Sequence, residues 1–194
     1  MMENREMLDD IEEVLFTERQ IAVMVERIGK EISRDYKDMN ILLISVLKGS
    51  VVFMADLMRS IDIPARIDFM AVSSYGTGTK TSGVVKINMD LALPLAGYDI
   101  VVVEDILDSG KTLHYLMELL EGRGPSSIKV CTLFDKPERR QVDVQASYVG
   151  SQIPDAFIVG YGLDYAEKYR NLPFVGILKP SVYEKYHKAR VKRK

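Results

Sequence analysis

The chain has 194 residues, 47% hydrophobic and 28% charged, which is the composition of an ordinary globular domain and not of a disordered chain. Twenty-six basic against 28 acidic side chains leave a net charge of -2, which excludes a global basic field for nucleic acid. A single cysteine, Cys131, excludes a disulfide framework and a multi-cysteine metal site and fits a reducing compartment. No apolar run nears the ~20 residues that cross a bilayer, and the charged first thirty residues do not read as a signal peptide.

In chain order, the N-terminal stretch reads as a short acidic helix followed by a longer one. Thr17 and Gln20 have the spacing of a capping box, Phe16 and Ile21 sit at its staple positions, and Ile21, Val25, Ile28 and Ile32 share one helical face. Residues 41–47, ILLISVL, read as a strand covered on both sides, ended by Lys48-Gly49-Ser50. Val51 to Ile61 reads as a helix, with Pro64 closing the segment, and residues 66–74 as a strand. Tyr75 to Gly83 is a small, polar loop without an apolar anchor, expected to be mobile. Residues 84–89 read as a strand. The most apolar strand, 99–103, runs into Glu104-Asp105-Ile106-Leu107-Asp108-Ser109-Gly110-Lys111-Thr112. A helix follows to about Leu120, closed by Gly122 and Gly124. Short strands fit 128–134, 156–160 and 174–178, with 135–155 loop-rich. Strands alternating with helices predict an α/β fold with a central parallel sheet. The last twelve residues, YEKYHKARVKRK, read as a solvated basic tail or a grip on an anionic partner.

In an open parallel sheet, ligands bind beyond the carboxyl ends of the strands, where 104–112 lies. Ser109, Gly110, Lys111 and Thr112 would open a helix, whose unpartnered N–H groups and dipole favour an anion. Gly110 allows close approach, and Ser109 and Thr112 add hydroxyl donors. Glu104 and Asp105 alone would pass for a solvated helix cap. Beside a phosphate turn, two carboxylates suit the hydroxyls of a ribose, so the segment describes a ribose 5-phosphate pocket. Gly110-Lys111-Thr112 is not a Walker A loop, because position 105 is Asp where that motif needs glycine. Gly76 and Gly78 do not open a dinucleotide fingerprint, because Thr81 stands where its third glycine would be.

The stretch VVVEDILDSGKTL (101–113) resembles the phosphoribosyl-pyrophosphate motif of type I phosphoribosyltransferases. Leu47-Lys48-Gly49, Ser74-Tyr75 and FIVGYGLDYAEKYRNLP (157–173) are similar to the hypoxanthine-guanine branch, so the likeness runs from about 41 to 179. It implies the type I phosphoribosyltransferase fold: one domain over 1–194, with a core of about 37–160 and a small hood lobe from the terminal segments. The implied reaction moves ribose 5-phosphate from phosphoribosyl pyrophosphate to N9 of hypoxanthine or guanine, giving IMP or GMP and pyrophosphate, with Mg²⁺ as cofactor. Glu104 and Asp105 match the ribose-hydroxyl and metal-side acids, and Asp108 the acid that handles the purine N7 proton, a residue that could also cap the helix. Ser109 to Thr112 match the phosphate turn. Leu47, Lys48, Gly49 and Arg170 match the pyrophosphate-binding residues, and Asp164 the acid near a second Mg²⁺. Lys136 matches the lysine that donates to the purine O6, Phe157 the stacking aromatic and Ile158 the backbone at the ring's other edge. Ser74 and Tyr75 would lead a lid spanning 75–83.

The resemblance further implies a cytoplasmic homodimer or homotetramer with no nucleic-acid or membrane partner. A xanthine-preferring relative and a non-catalytic nucleotide- or RNA-binding regulator remain as alternatives on the same fold. His114, His187 and Cys131 receive no role; Cys131 reads as a small strand hydrophobe.

Overall fold

The computed structural model describes residues 4–74 and 85–183. In chain order the elements are α1 (Asn4–Asp9), β1 (Ile11–Phe16), α2 (Glu18–Asp35), β2 (Ile41–Leu47), α3 (Val51–Arg59), β3 (Ala65–Ser74), β4 (Val85–Met89), β5 (Asp99–Leu107), α4 (Lys111–Glu121), β6 (Ser127–Asp135), β7 (Tyr148–Gln152), β8 (Ile158–Val159) and β9 (Val175–Leu178), with one 3-10 turn at Pro137–Arg139. They form two compact units, one from segments within 1–21 and 156–194, the other from 22–155.

The larger unit is a six-stranded sheet in the order β4-β3-β2-β5-β6-β7. Five strands run parallel, and β4 is an antiparallel edge strand on β3. Residues 41–46 of β2 and 100–103 of β5 are buried, as their unbroken apolar runs require of strands covered on both faces. One face is covered by the α4 stripe Leu113, Leu116 and Leu120, which packs with Leu42, Ile44, Val46, Ile100 and Val102. Fully burying each such side chain contributes about 1.5–3 kcal/mol.

The entry to α2 is a reciprocal capping box. Thr17 N donates to Gln20 Oε1 at 2.9 Å, and Gln20 N donates to Thr17 Oγ1 at 3.3 Å. Ile21, Val25, Ile28 and Ile32 are all buried, as the helical spacing predicts.

The smaller unit carries a second, antiparallel sheet in the order β1-β9-β8. Residues 11–16 are therefore a strand, where the sequence reads as helix. The segments near 156–160 and 174–178 belong to this sheet and do not extend the parallel one. Val159, Tyr169, Leu172 and Leu178 form its core. Within 135–155, read as loop-rich, β7 adds a fifth parallel strand through Cys131↔Tyr148 and Thr132↔Val149.

Candidate active site

In the larger unit, β5 continues to Leu107, four residues past the predicted end, because β6 pairs with it through Leu107↔Asp135. Glu104 and Asp105 thus lie on the strand itself, not beyond it. Asp108 and Ser109 make the turn, and Gly110 caps α4 with φ +81°, the left-handed region that favours glycine. A Cβ there would also meet Val142 Cγ2 at 3.0 Å and Arg140 Cδ at 3.2 Å. The first N–H groups of α4 have no intrahelical acceptor, so Ser109 to Thr112 open the helix where the sequence predicts.

The loop after β2 meets this strand end. A Cβ on Gly49 would lie 1.8 Å from Asp105 Oδ2, so only glycine leaves room for that carboxylate. The preceding Leu47–Lys48 peptide bond is cis. Behind the loop, the buried Ser45 and Ser50 hydroxyls share a 2.8 Å hydrogen bond.

Burial, with the Asp105 carboxylate adding, pushes the Glu104 carboxyl well above the usual carboxylate range. Asp105 Oδ1 accepts from Ile106 N at 2.8 Å. Two adjacent, half-buried acids can accept from sugar hydroxyls or supply oxygen ligands to a hard cation, either of which relieves their repulsion. Among the described residues no three His, Cys, Asp or Glu side chains cluster as a full metal cage. That donor set fits a magnesium ion whose remaining ligands come from phosphate and water.

Lys136 follows β6 and is only 7% exposed. Burial lowers its pKa, while Asp108 and Asp155 oppose the shift. Asp155 Oδ1 lies 4.0 Å from the ammonium. Arg139 Nε stands 2.8 Å from Asp108 Oδ1, and its Nη1 3.3 Å from Asp155 Oδ1. The proposed base-reading lysine and the proposed catalytic acid therefore share one cluster of two cations and two anions. Arg139, Arg140 and Asp155 were not legible as site residues. The only signal was the charged run that follows Lys136-Pro137.

In the smaller unit, the Phe157 ring is 42% exposed. It meets Tyr165 edge-on at 5.3 Å and stacks with Tyr183 at 5.5 Å. Ile158 is buried on β8. Arg170 ion-pairs with Asp164 at 2.8 Å and donates to Gly162 O at 2.7 Å. Its Nε is buried without a hydrogen-bond partner. Tyr161, Ala166, Glu167 and Tyr169 all adopt positive φ, an uncommon conformation for side-chain-bearing residues that concentrates at ligand sites. Arg170 and Asp164, proposed for pyrophosphate and metal, are thus paired with each other.

Ser74 ends β3. Tyr75, the rest of the 75–83 loop, His187 and the basic residues 184–194 lie outside the described residues. Cys131 is buried in β6, with its thiol pKa raised by burial, as a strand hydrophobe should be. His114 is half-buried on α4 beside Glu118 at 3.6 Å. Among the described residues no helix is long and apolar enough to cross a membrane.

A parallel sheet whose central strand ends in two acids and a glycine-capped helix defines a class. The phosphoribosyl transferase domain family matches residues 13–166, which makes this chain a phosphoribosyltransferase of the type I fold. The hypoxanthine-guanine phosphoribosyltransferase of Bacillus subtilis is 54% identical over 178 residues, 92% of this chain and 99% of that protein. Its namesake from Streptococcus pyogenes serotype M3 is 52% identical over 91% of this chain and 98% of its own. A crystal structure of a hypoxanthine phosphoribosyltransferase from Staphylococcus aureus superposes with a TM-score of 0.90 at 47% identity, covering 93% of this chain and 98% of that one. The chain belongs to the hypoxanthine-guanine phosphoribosyltransferase family.

Proposed function

We propose that this chain transfers ribose 5-phosphate from phosphoribosyl pyrophosphate to N9 of hypoxanthine or guanine, yielding IMP or GMP and pyrophosphate. The observation that carries the reading is the end of β5, where an acidic pair, Asp108 and a glycine-capped helix start follow one another within residues 104–111. The bond from the sugar carbon to pyrophosphate breaks as the bond to N9 forms, and the purine N7 proton passes to the Asp108 carboxylate. The N–H groups and hydroxyls of Ser109 to Thr112 bind the 5-phosphate. Glu104 and Asp105 accept from the ribose hydroxyls. Lys48 and Gly49 bind pyrophosphate.

Lys136 donates to O6. An ammonium has no acceptor, so it suits a 6-oxopurine and faces the 6-amino group of adenine donor to donor. In the smaller unit, Phe157 offers the stacking face, Ile158 contributes backbone to the base edge, and Arg170 binds pyrophosphate. Glu104 and Asp105 would hold one Mg²⁺ and, in the smaller unit, Asp164 would lie near a second; when bound, the metal would neutralise the leaving pyrophosphate. We place the enzyme in the cytoplasm as a homodimer or homotetramer.

The test is product identity. Incubation with hypoxanthine, phosphoribosyl pyrophosphate and Mg²⁺ is expected to give N9-linked IMP and one equivalent of pyrophosphate by NMR, and a chelator is expected to stop the reaction. Unconverted substrates with folded protein would overturn the reading.

A further inference from the structure

The turn that opens α4 is held from behind by one short segment. Leu107 O accepts from Lys136 N at 3.0 Å, and Ser109 O accepts from Gln141 N at 3.0 Å. Between them, Asp108 O accepts from Arg140 Nη1 at 2.5 Å. Three consecutive carbonyls are therefore taken by residues 136–141, and the middle one alone depends on a side chain. The other arm of the Arg140 guanidinium, Nη2, binds Asp135 Oδ1. Arg140 and Asp135 are 18% and 14% exposed, so the pair is shielded from solvent. Asp135 is the last residue of β6 and sits in register with Leu107 and Gln152. The Arg140 stem closes the contact, since its Cδ lies 3.2 Å from where a Cβ on Gly110 would stand.

We infer that Arg140 is a positioning residue for the phosphate-binding turn: anchored on Asp135, it fixes the Asp108 carbonyl and so aims the N–H groups of Ser109 to Thr112. The inference rests on the proposed function, in which that turn takes the 5-phosphate. A planar fork is needed because the carboxylate and the carbonyl must be bound at once. A lysine offers a single point charge and cannot span both in one geometry. The two bonds use one N–H on each terminal nitrogen of the guanidinium, and both go to the fold itself, one to the turn's backbone and one to the anchor. The backbone bonds from Lys136 and Gln141 remain when Arg140 is replaced, so the turn persists but is held at its ends only.

The experiment uses the full chain with Arg140→Ala, and Asp135→Asn as a second variant that keeps the arginine but weakens its anchor. The KM for phosphoribosyl pyrophosphate is expected to rise about tenfold or more in Arg140→Ala, the equivalent of one charge-assisted hydrogen bond. The KM for hypoxanthine is expected to stay within about twofold, because Lys136 N keeps its own bond to the turn. Millimolar ethylguanidinium is expected to restore the lost affinity and ethylammonium at the same concentration to leave it lost. Asp135→Asn is expected to shift the same KM in the same direction by a smaller factor.

An unchanged KM for phosphoribosyl pyrophosphate in folded Arg140→Ala would overturn the inference, as would equal rescue by both cations. If Arg140→Ala does not fold, an unchanged KM in Asp135→Asn overturns it. Failure of the unsubstituted protein to bind phosphoribosyl pyrophosphate would instead overturn the proposed function, and this inference with it.

Discussion

Asp108 and Lys136 sit in one neutralised cluster with Arg139 and Asp155, so each can be probed without leaving a lone buried charge. Asp108→Asn removes the proton acceptor while keeping shape. It is expected to lower kcat by about 10²–10⁴-fold, with little change in KM for phosphoribosyl pyrophosphate, by steady-state kinetics. Lys136→Gln supplies an acceptor beside the donor and is expected to weaken hypoxanthine use while narrowing the gap to adenine; a preference ratio equal to the parent's would remove Lys136 from base reading. Gly49→Ala forces a Cβ into the Asp105 carboxylate and is expected to destabilise the fold by about 1–3 kcal/mol in denaturant melts. The acids, Asp108 and the glycine cap were legible because they fall within one short segment, 104–110, at the end of an apolar strand. Arg140 was not, because its partner Asp108 lies 32 residues earlier and a charged run reads as surface until the strands place it.

Among the elements, the helices were the most legible, because the period of α2 and its capping box are local. Ile28 is fully buried, so Ile28→Ala is expected to cost about 2–5 kcal/mol, against about 1 kcal/mol for Thr17→Ala at the cap, both by equilibrium unfolding. The misread elements depend on remote partners. The acidic IEEVLF is a strand because β9 pairs with it antiparallel, from Ile11↔Leu178 to Phe16↔Val175. The last residues of β5 carry two acids that argue against a buried strand, yet the parallel register with β6 carries the ladder through them. β7 is a short edge strand that, among the described residues, ladders with β6 alone, information absent from its own five residues.

At the scale of the molecule, one buried phenol links stability to pH. Burial, with the Asp99 and Asp35 charges adding, raises the Tyr36 phenol to about 12. In the unfolded chain that phenol ionises near 10, so between the two values the folded state holds the extra proton. Stability therefore falls as pH rises through that window, by about 2–3 kcal/mol at its top. Denaturant melts between pH 9 and 12 check this, and Tyr36→Phe is expected to make the decline shallower while Tyr148 and Tyr169, whose phenols burial also raises, keep contributing to it. The reaction itself is carried by the whole molecule. The measurement that tests it most directly is the initial rate of pyrophosphate release with Mg²⁺, phosphoribosyl pyrophosphate and one base at a time. Hypoxanthine and guanine are expected to turn over and adenine to remain inert. Release with xanthine alone would contradict the base assignment, and no release with any base from folded protein would contradict the enzyme itself.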